Sequence, residues 1–230
     1  MSGAGPVVVA VDGPAGSGKS SVSRAAAAEL GYDLLDTGAA YRALAWGALQ
    51  ADIDLPAVDA GDDSAAKALS AFLPGFVYRT ATVPEERWVR VGDADVTDEI
   101  RSSRITAAVS TVAKVPAVRA HLTARFRDRI SAAATGIVVE GRDITTVVAP
   151  DADVRVLLTA APEVRATRRA SELPDEDHGA VARSIAERDA KDARVVDFLT
   201  AADGVTTLDS TDLDFDGTVA ALVALVRSRS

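Results

Sequence analysis

The stretch that decides the fold is Gly13-Pro14-Ala15-Gly16-Ser17-Gly18-Lys19-Ser20, which fits the pattern G-x-x-x-x-G-K-[ST]. The apolar run Val7 to Val11 precedes it and ends in Asp12; an alanine-rich segment from Ser21 to Leu30 follows. The first reads as a buried strand and the second as a helix. A glycine turn between strand and helix lets backbone N–H groups close around an anion, and the helix that opens at Lys19 adds its positive end. In that setting Lys19 is expected to reach the β- and γ-phosphates of a nucleoside triphosphate, and the Ser20 hydroxyl to ligate Mg²⁺. The motif does not say what receives the phosphate.

Working outward, strand and helix signals alternate. Tyr32 to Leu35 reads as a short strand ending in Asp36, and a helix is expected from Thr37 to about Gln50. Asp36, Thr37 and Arg42 either hold a substrate at the carboxyl edge of a parallel sheet or form a plain helix cap beside a solvated arginine. Ala51 to Ser64, rich in Asp, reads as a loop, and Ala65 to Phe72 as a short helix. Short strands without intervening helices follow at Phe76-Val77-Tyr78, Trp88 to Val91 and Ala94-Asp95-Val96, so residues 62–101 read as a small antiparallel insert.

Two helices are expected at Ser102 to Ala113 and Pro116 to Ala133, carrying Ser110 and Arg119. Gly136 to Glu140 is a buried-strand signal ending in an acid, with Gly141-Arg142-Asp143 at the strand end. Val154 to Leu158 is another strand, and a helix from Pro162 carries Arg165, Arg168 and Arg169. Ser171 to Gly179 reads as a charged surface excursion, Ala180 to Asp192 as a helix, Val205 to Leu208 as a last strand and Thr218 to Arg229 as a closing helix. The whole is an α/β sheet flanked by helices.

Composition narrows the class. The 230 residues suffice for one large or two small domains, and 48% hydrophobic with 26% charged residues is ordinary for a globular chain. There is no cysteine, which removes disulfides and thiolate metal sites. Two histidines, His121 and His178, are too few for a histidine zinc site and are expected at the surface. A net charge of −9 argues against nucleic-acid binding. Arginines nevertheless cluster at 165, 168 and 169 and at 183, 188 and 194, either on solvated helix faces or around a phosphate site. There is neither a signal-peptide pattern nor an 18-residue apolar run, so a cytoplasmic protein without a membrane span is expected. The guanine-reading segment Asn-Lys-x-Asp of GTP switches is absent. A small-molecule or nucleotide kinase with a closing lid fits the length and the insert better than a motor or transporter ATPase.

The chain resembles the bacterial cytidylate kinases over nearly its whole length. The resemblance rests on Val9 to Ser20, Leu35-Asp36-Thr37-Gly38-Ala39-Ala40-Tyr41-Arg42, Gly92 to Arg101 and Val115-Pro116-Ala117-Val118-Arg119. It continues in Val138-Val139-Glu140-Gly141-Arg142-Asp143-Ile144, Glu187-Arg188-Asp189 with Asp192, and Leu208-Asp209-Ser210-Thr211. It implies a three-layer phosphate-loop fold in a single domain: a five-stranded parallel sheet, a nucleoside-monophosphate insert at about 62–101 and a short lid at about 170–187. The implied reaction is transfer of the ATP γ-phosphoryl group to CMP or dCMP with Mg²⁺, by a monomer with no partner beyond its small-molecule substrates.

By position, the resemblance implies ATP contacts from residues 13–21, Ser21 included, and from Arg168, with metal contact from Ser20. Ser110, Arg119 and Asp143 would read cytosine; Asp36, Thr37, Arg42, Arg142 and Arg188 would surround the acceptor phosphate; Asp192 would touch the sugar and Arg194 a phosphate. Lys19, Arg142, Arg188 and Asp36 would carry the transfer. The family usually has Gly where this chain has Thr145, and Arg194 stands one residue closer to Asp192 than is usual. Two other readings stay open from the residues alone: a kinase for another small metabolite, and an ATP-binding regulatory module.

Overall fold

The computed structural model describes residues 5–171, 178–192 and 198–229. Its chain divides into two compact units, one of residues 1–35, 83–85 and 130–230, the other of residues 36–82 and 86–129.

The first unit is built on the opening strand β1 (Val7–Asp12). Val9, Ala10 and Val11 are all fully buried, which in a period-2 strand means that both faces are covered. The glycine turn leads from β1 into helix α1 (Lys19–Leu30), which stops at Gly31 in the left-handed conformation with φ 68°. β2 (Asp33–Asp36) comes next. The remaining strands of this sheet are β6 (Gly136–Gly141), β7 (Val154–Thr159) and β8 (Thr206–Asp209). Helices α7 (Pro162–Ser171), α8 (His178–Asp192) and α9 (Phe215–Arg227) complete the unit.

The sheet has five strands in the order β2-β6-β1-β7-β8, and β1 pairs in parallel with both β6 and β7. Val9 and Val11 of β1, Val22 and Ala26 of α1, Val138 of β6, Val156 of β7 and Leu222 and Val226 of α9 form its main core. The expected five-stranded parallel sheet is present. Because β1 is central, everything that follows it at residue 12 emerges at the carboxyl edge of the sheet, beside the ends of β6 and β7.

An unexpected element follows β6. Ile144–Val148 makes a single π-helical turn, with Ala149 N–H donating to Ile144 O at 2.8 Å. Its start is fixed by Asp12: Oδ1 accepts from Ile144 N–H at 2.8 Å, and Oδ2 accepts from Thr145 N–H at 2.9 Å and Thr145 Oγ1 at 2.6 Å.

The second unit holds α2 (Thr37–Gln50), α3 (Leu55–Asp59), α4 (Asp63–Phe72), α5 (Ser103–Lys114) and α6 (Pro116–Ser131). It also holds the antiparallel sheet β3-β4-β5, with β3 at Tyr78–Thr80, β4 at Val89–Val91 and β5 at Ala94–Asp95. Leu44, Leu69, Phe76, Ile100, Leu122 and Phe126 are its buried anchors. The Phe76 and Tyr78 rings stack at 5.6 Å, and Phe72 and Phe76 approach to 5.7 Å.

The segment Ala51 to Ser64 is not a loop throughout. Asp54 and Asp62 are N-caps that accept from Ala57 N–H at 2.9 Å and Ala65 N–H at 2.8 Å, so the acids start α3 and α4. Phe76 and Val77 precede the strand, since Phe76 N–H donates to Leu73 O at 3.1 Å and closes the turn before it. The closing helix begins at Phe215, three residues earlier than its apolar periodicity suggests, because Asp214 caps it through Gly217 N–H at 2.8 Å. His121 is half-buried, with Nε2 enclosed and without a hydrogen-bond partner, and is not the surface residue expected. Most of the expected charged excursion at 171–179 lies outside the described residues.

Candidate functional site

The first unit gathers its polar groups on the turn between β1 and α1. Gly18 is the N-cap of α1 with φ 87° and no side-chain cap, so no side chain competes for the helix's first N–H groups. Two glycines are required by close approach. A Cβ on Gly13 would lie 2.2 Å from Leu158 O, and one on Gly16, whose φ is +74°, would lie 2.6 Å from Arg165 O. Ser17 is fully buried, and its Oγ has no hydrogen-bond partner among the described residues. A turn of this shape, with an orphaned buried hydroxyl and an uncapped helix start, suits an anionic polyphosphate.

The Ser20 hydroxyl donates to Glu140 Oε1 at 2.6 Å. Glu140 is 2% exposed and ends β6 beside the turn. A hydroxyl and a carboxylate are the hard oxygen donors that Mg²⁺ prefers alongside phosphate oxygens, so the pair fits that ion. Sequence reading found Ser20 but saw in Glu140 only a strand-ending acid.

Three arginines approach the turn from outside. Arg142 Nη1 donates to Gly13 O at 3.1 Å, and its guanidinium lies 4.3 Å from the centre of the Phe198 ring. Arg165 Nη1 donates to Ala15 O at 2.9 Å. Arg168 Nη1 donates to Ser17 O at 3.3 Å and to Ser210 Oγ at 2.9 Å, while its Nη2 reaches Ser210 O and Leu213 O. Asp189 of α8 joins two of them. It accepts from Ala15 N–H at 3.1 Å, Arg142 Nη1 at 3.2 Å and Arg165 Nη1 at 2.6 Å. The sequence leaves Arg165 between a solvated helix face and a phosphate site, and Asp189 is not among the site residues that it proposes.

Beside the turn is a cavity of about 280 Å³, lined by Gly18, Ser21, Val22, Arg168, Leu213 and Thr218 among others. Its mixture of apolar walls and one guanidinium suits a flat heterocycle. Asp143 follows Arg142 at the end of β6 and is 8% exposed. Burial raises the Asp12 pKa above the ordinary carboxylate value; the Thr145 hydroxyl, the Ile144 and Thr145 amides and the Lys19 charge pull it back in part.

In the second unit Asp36 has two tasks. Oδ1 caps α2 through Ala39 N–H at 2.8 Å, and Oδ2 pairs with Arg42 Nη2 at 3.3 Å. Asp36 is thus a helix cap, and Arg42 is paired with it, not solvated. Burial and then the like charge of Arg42 lower the Arg101 pKa, with Arg87 adding to the repulsion and Asp36 opposing it. Arginines 42, 87 and 101 thus share one field, which the carboxylates of Asp36 and Asp98 offset. Thr37 is buried at the start of α2, Ser110 is buried in α5, and Arg119 lies in α6. Arg188 and Asp192 fall on α8, but their side chains lie outside the described ones, and Arg194 lies outside the described residues.

A glycine turn leaving the central strand of a parallel sheet, with arginines at its rim and a hydroxyl–carboxylate pair at its base, defines a phosphate-loop nucleotide-binding protein. Comparison with known proteins narrows the class. The family model "Cytidylate kinase" matches residues 9–228. A cytidylate kinase of Streptomyces avermitilis is 41% identical over 224 residues, covering 97% of this chain and 94% of that relative. One from Cutibacterium acnes is 45% identical over 222 residues, covering 96% of each. Among solved structures, an uncharacterized protein from Eubacterium ventriosum aligns with a TM-score of 0.50 at 10% identity, covering 97% of this chain and 99% of that one, a likeness of fold alone. The chain belongs to the cytidylate kinase family.

Proposed function

We propose that the protein is an ATP-dependent kinase that transfers the γ-phosphoryl group of ATP to CMP or dCMP, giving CDP or dCDP. The observation that carries this reading is the turn at residues 13–20, uncapped at α1 and flanked by Ser20–Glu140 and by Arg142, Arg165 and Arg168. The loop amides and Lys19 bind the donor's phosphates, and Ser21 and Arg168 line the cavity for its base. Ser20 and Glu140 would hold Mg²⁺, which would supply neutralising charge to the donor's phosphates. Arg142, with Arg188 from α8, offsets the charge that spreads over the transferred group. Asp36, Thr37 and Arg42 hold the acceptor phosphate. Asp36 orients it and removes no proton, because a nucleoside monophosphate is already ionised at neutral pH.

Ser110, Arg119 and Asp143 read the base. Cytosine presents an exocyclic amine beside acceptors. Asp143 accepts from the amine, and Arg119 and Ser110 donate to the acceptors. Asp192 contacts the ribose and Arg194 a phosphate. Residues 62–101 form the acceptor-binding insert within one kinase domain; the lid expected at about 170–187 includes residues 172–177, which lie outside the described ones. The protein acts as a monomer in the cytoplasm. No helix among the described residues is long and apolar enough to cross a membrane.

The test is an ADP-release assay with ATP and Mg²⁺ against CMP, dCMP, UMP, AMP and shikimate. Turnover with CMP and dCMP well above the others is expected. Equal use of all nucleotides overturns the cytosine assignment, and turnover confined to a non-nucleotide acceptor overturns the function.

A further inference from the structure

Asp189 is 6% exposed, on the inner side of α8. A buried carboxylate is retained only where its charge and lone pairs are met. Here Oδ1 accepts from Ala15 N–H at 3.1 Å and Arg142 Nη1 at 3.2 Å, and Oδ2 accepts from Arg165 Nη1 at 2.6 Å. The same two guanidinium nitrogens also reach backbone: Arg142 Nη1 to Gly13 O at 3.1 Å and Arg165 Nη1 to Ala15 O at 2.9 Å. One carboxylate therefore closes two small rings, each running from acid to guanidinium to a peptide of the phosphate turn.

This arrangement fixes two things. Carbonyls of Gly13 and Ala15 are engaged by cations, so they cannot turn toward a bound anion. The guanidiniums are held side by side, although they repel one another, because the acid between them offsets one of the two charges. The plane of Arg142 is set independently by the Phe198 ring, 4.3 Å from its carbon.

We propose that Asp189 is a positioning residue for the transfer step, holding Arg142 and Arg165 against the phosphate turn in the orientation that receives the developing charge. It contacts neither nucleotide. It acts through the arginines, so its loss lowers turnover more than substrate binding. This inference rests on the kinase reading above.

The experiment is steady-state kinetics with ATP and CMP on wild type, Asp189→Asn, Asp189→Glu, Arg165→Met and the double variant Asp189→Asn/Arg165→Met. Asp189→Asn keeps the shape and removes the charge; kcat is expected to fall about a hundredfold, with both KM values within about threefold of wild type. Asp189→Glu keeps the charge but displaces it by one methylene, and kcat is expected to fall about tenfold. The double variant is expected to lose little beyond the worse single variant, because the two residues act as one unit. Wild-type kcat in Asp189→Asn, a loss confined to KM, or multiplying losses in the double variant would each overturn the inference. Should Asp189→Asn fail to fold, wild-type kcat in Asp189→Glu overturns it. If wild type itself turns over neither CMP nor dCMP, it is the kinase reading that fails; an active wild type beside an equally active Asp189→Asn sinks only this proposal.

Discussion

The Thr145 hydroxyl donates to Asp12 Oδ2 across 2.6 Å, joining the end of the first strand to the π-helical turn after β6. Both residues are buried, at 3% exposure each. The hydroxyl adds a third donor to the Ile144 and Thr145 amides that already bond Asp12, and so anchors the turn that follows Arg142-Asp143. A hydrogen bond to a charged group contributes about 1.5–3 kcal/mol. Thr145→Val keeps the volume and removes the donor. It is expected to lower the unfolding free energy by about 2 kcal/mol in urea denaturation at neutral pH. Without the hydroxyl the folded-state pKa of Asp12, already raised by burial, rises further. The deficit is therefore present above that pKa and shrinks as pH falls through it, because a protonated Asp12 no longer needs the charge-assisted bond.

Gly13→Ala tests how tightly the turn is seated. The new methyl would stand 2.2 Å from Leu158 O and 3.0 Å from Ser17 Oγ. The first is a backbone atom of β7 that the sheet ladder holds, so the turn must move instead. Overpacking of this kind costs about 1–3 kcal/mol. A lower urea midpoint and a raised KM for ATP are expected, with KM for CMP nearly unchanged.

Asp143→Ala tests base selection. Uracil has a carbonyl where cytosine has its amine, which would leave the buried Asp143 opposite an acceptor. An unpaired buried polar group costs about 1–3 kcal/mol, which corresponds to roughly ten- to a hundredfold. The ratio of kcat/KM for CMP over UMP is expected to fall by that order, with ATP affinity held. An unchanged ratio removes Asp143 from base reading.

His121 gives a pH dependence. Burial, then the charge of Arg125, holds its pKa below the ordinary 6.5. The unfolded chain therefore takes up a proton that the folded one resists, and the contribution to stability is complete above pH 6.5 and lost as pH falls through the folded pKa. Urea midpoints measured from pH 7.5 down to about 5 should drop further for wild type than for His121→Gln. Imidazole proton NMR should show a resonance titrating below 6.5 that vanishes in the variant.

How much of this was legible depended on distance along the chain. The strand, glycine turn and first helix could be read because their signals are consecutive: an apolar run, glycines where the backbone needs positive φ, then small helix-forming residues. Alternation of strand and helix then yielded an α/β sheet flanked by helices, and the resemblance its five parallel strands. Asp54 and Asp62 misled, because composition marks a loop where geometry has two helix caps. Ile144-Thr145-Thr146-Val147-Val148 has strand-type residues, and its π turn depends on Asp12, 132 positions away. In the site, Lys19 and Ser20 are given by a motif, whereas Asp189 stands in the Glu187-Arg188-Asp189 stretch but meets Ala15 across 174 positions, a partnership that no local pattern gives. Glu140 was visible as a strand-ending acid, but its partner Ser20 lies 120 positions earlier.

The central place of β1 has a consequence for synthesis. Its two neighbours in the sheet end at Gly141 and Thr159, so the first strand leaves the ribosome well before either can bond to it. At about 5–20 residues per second the nascent Val7 to Asp12 segment waits on the order of ten seconds with both edges open. Residues 36–129, almost all in the second unit, are made during that wait and can collapse on their own contacts first. The sheet that carries the phosphate turn is therefore the late event of folding, and the apolar leading strand is the part of the newborn chain most exposed to wrong pairing.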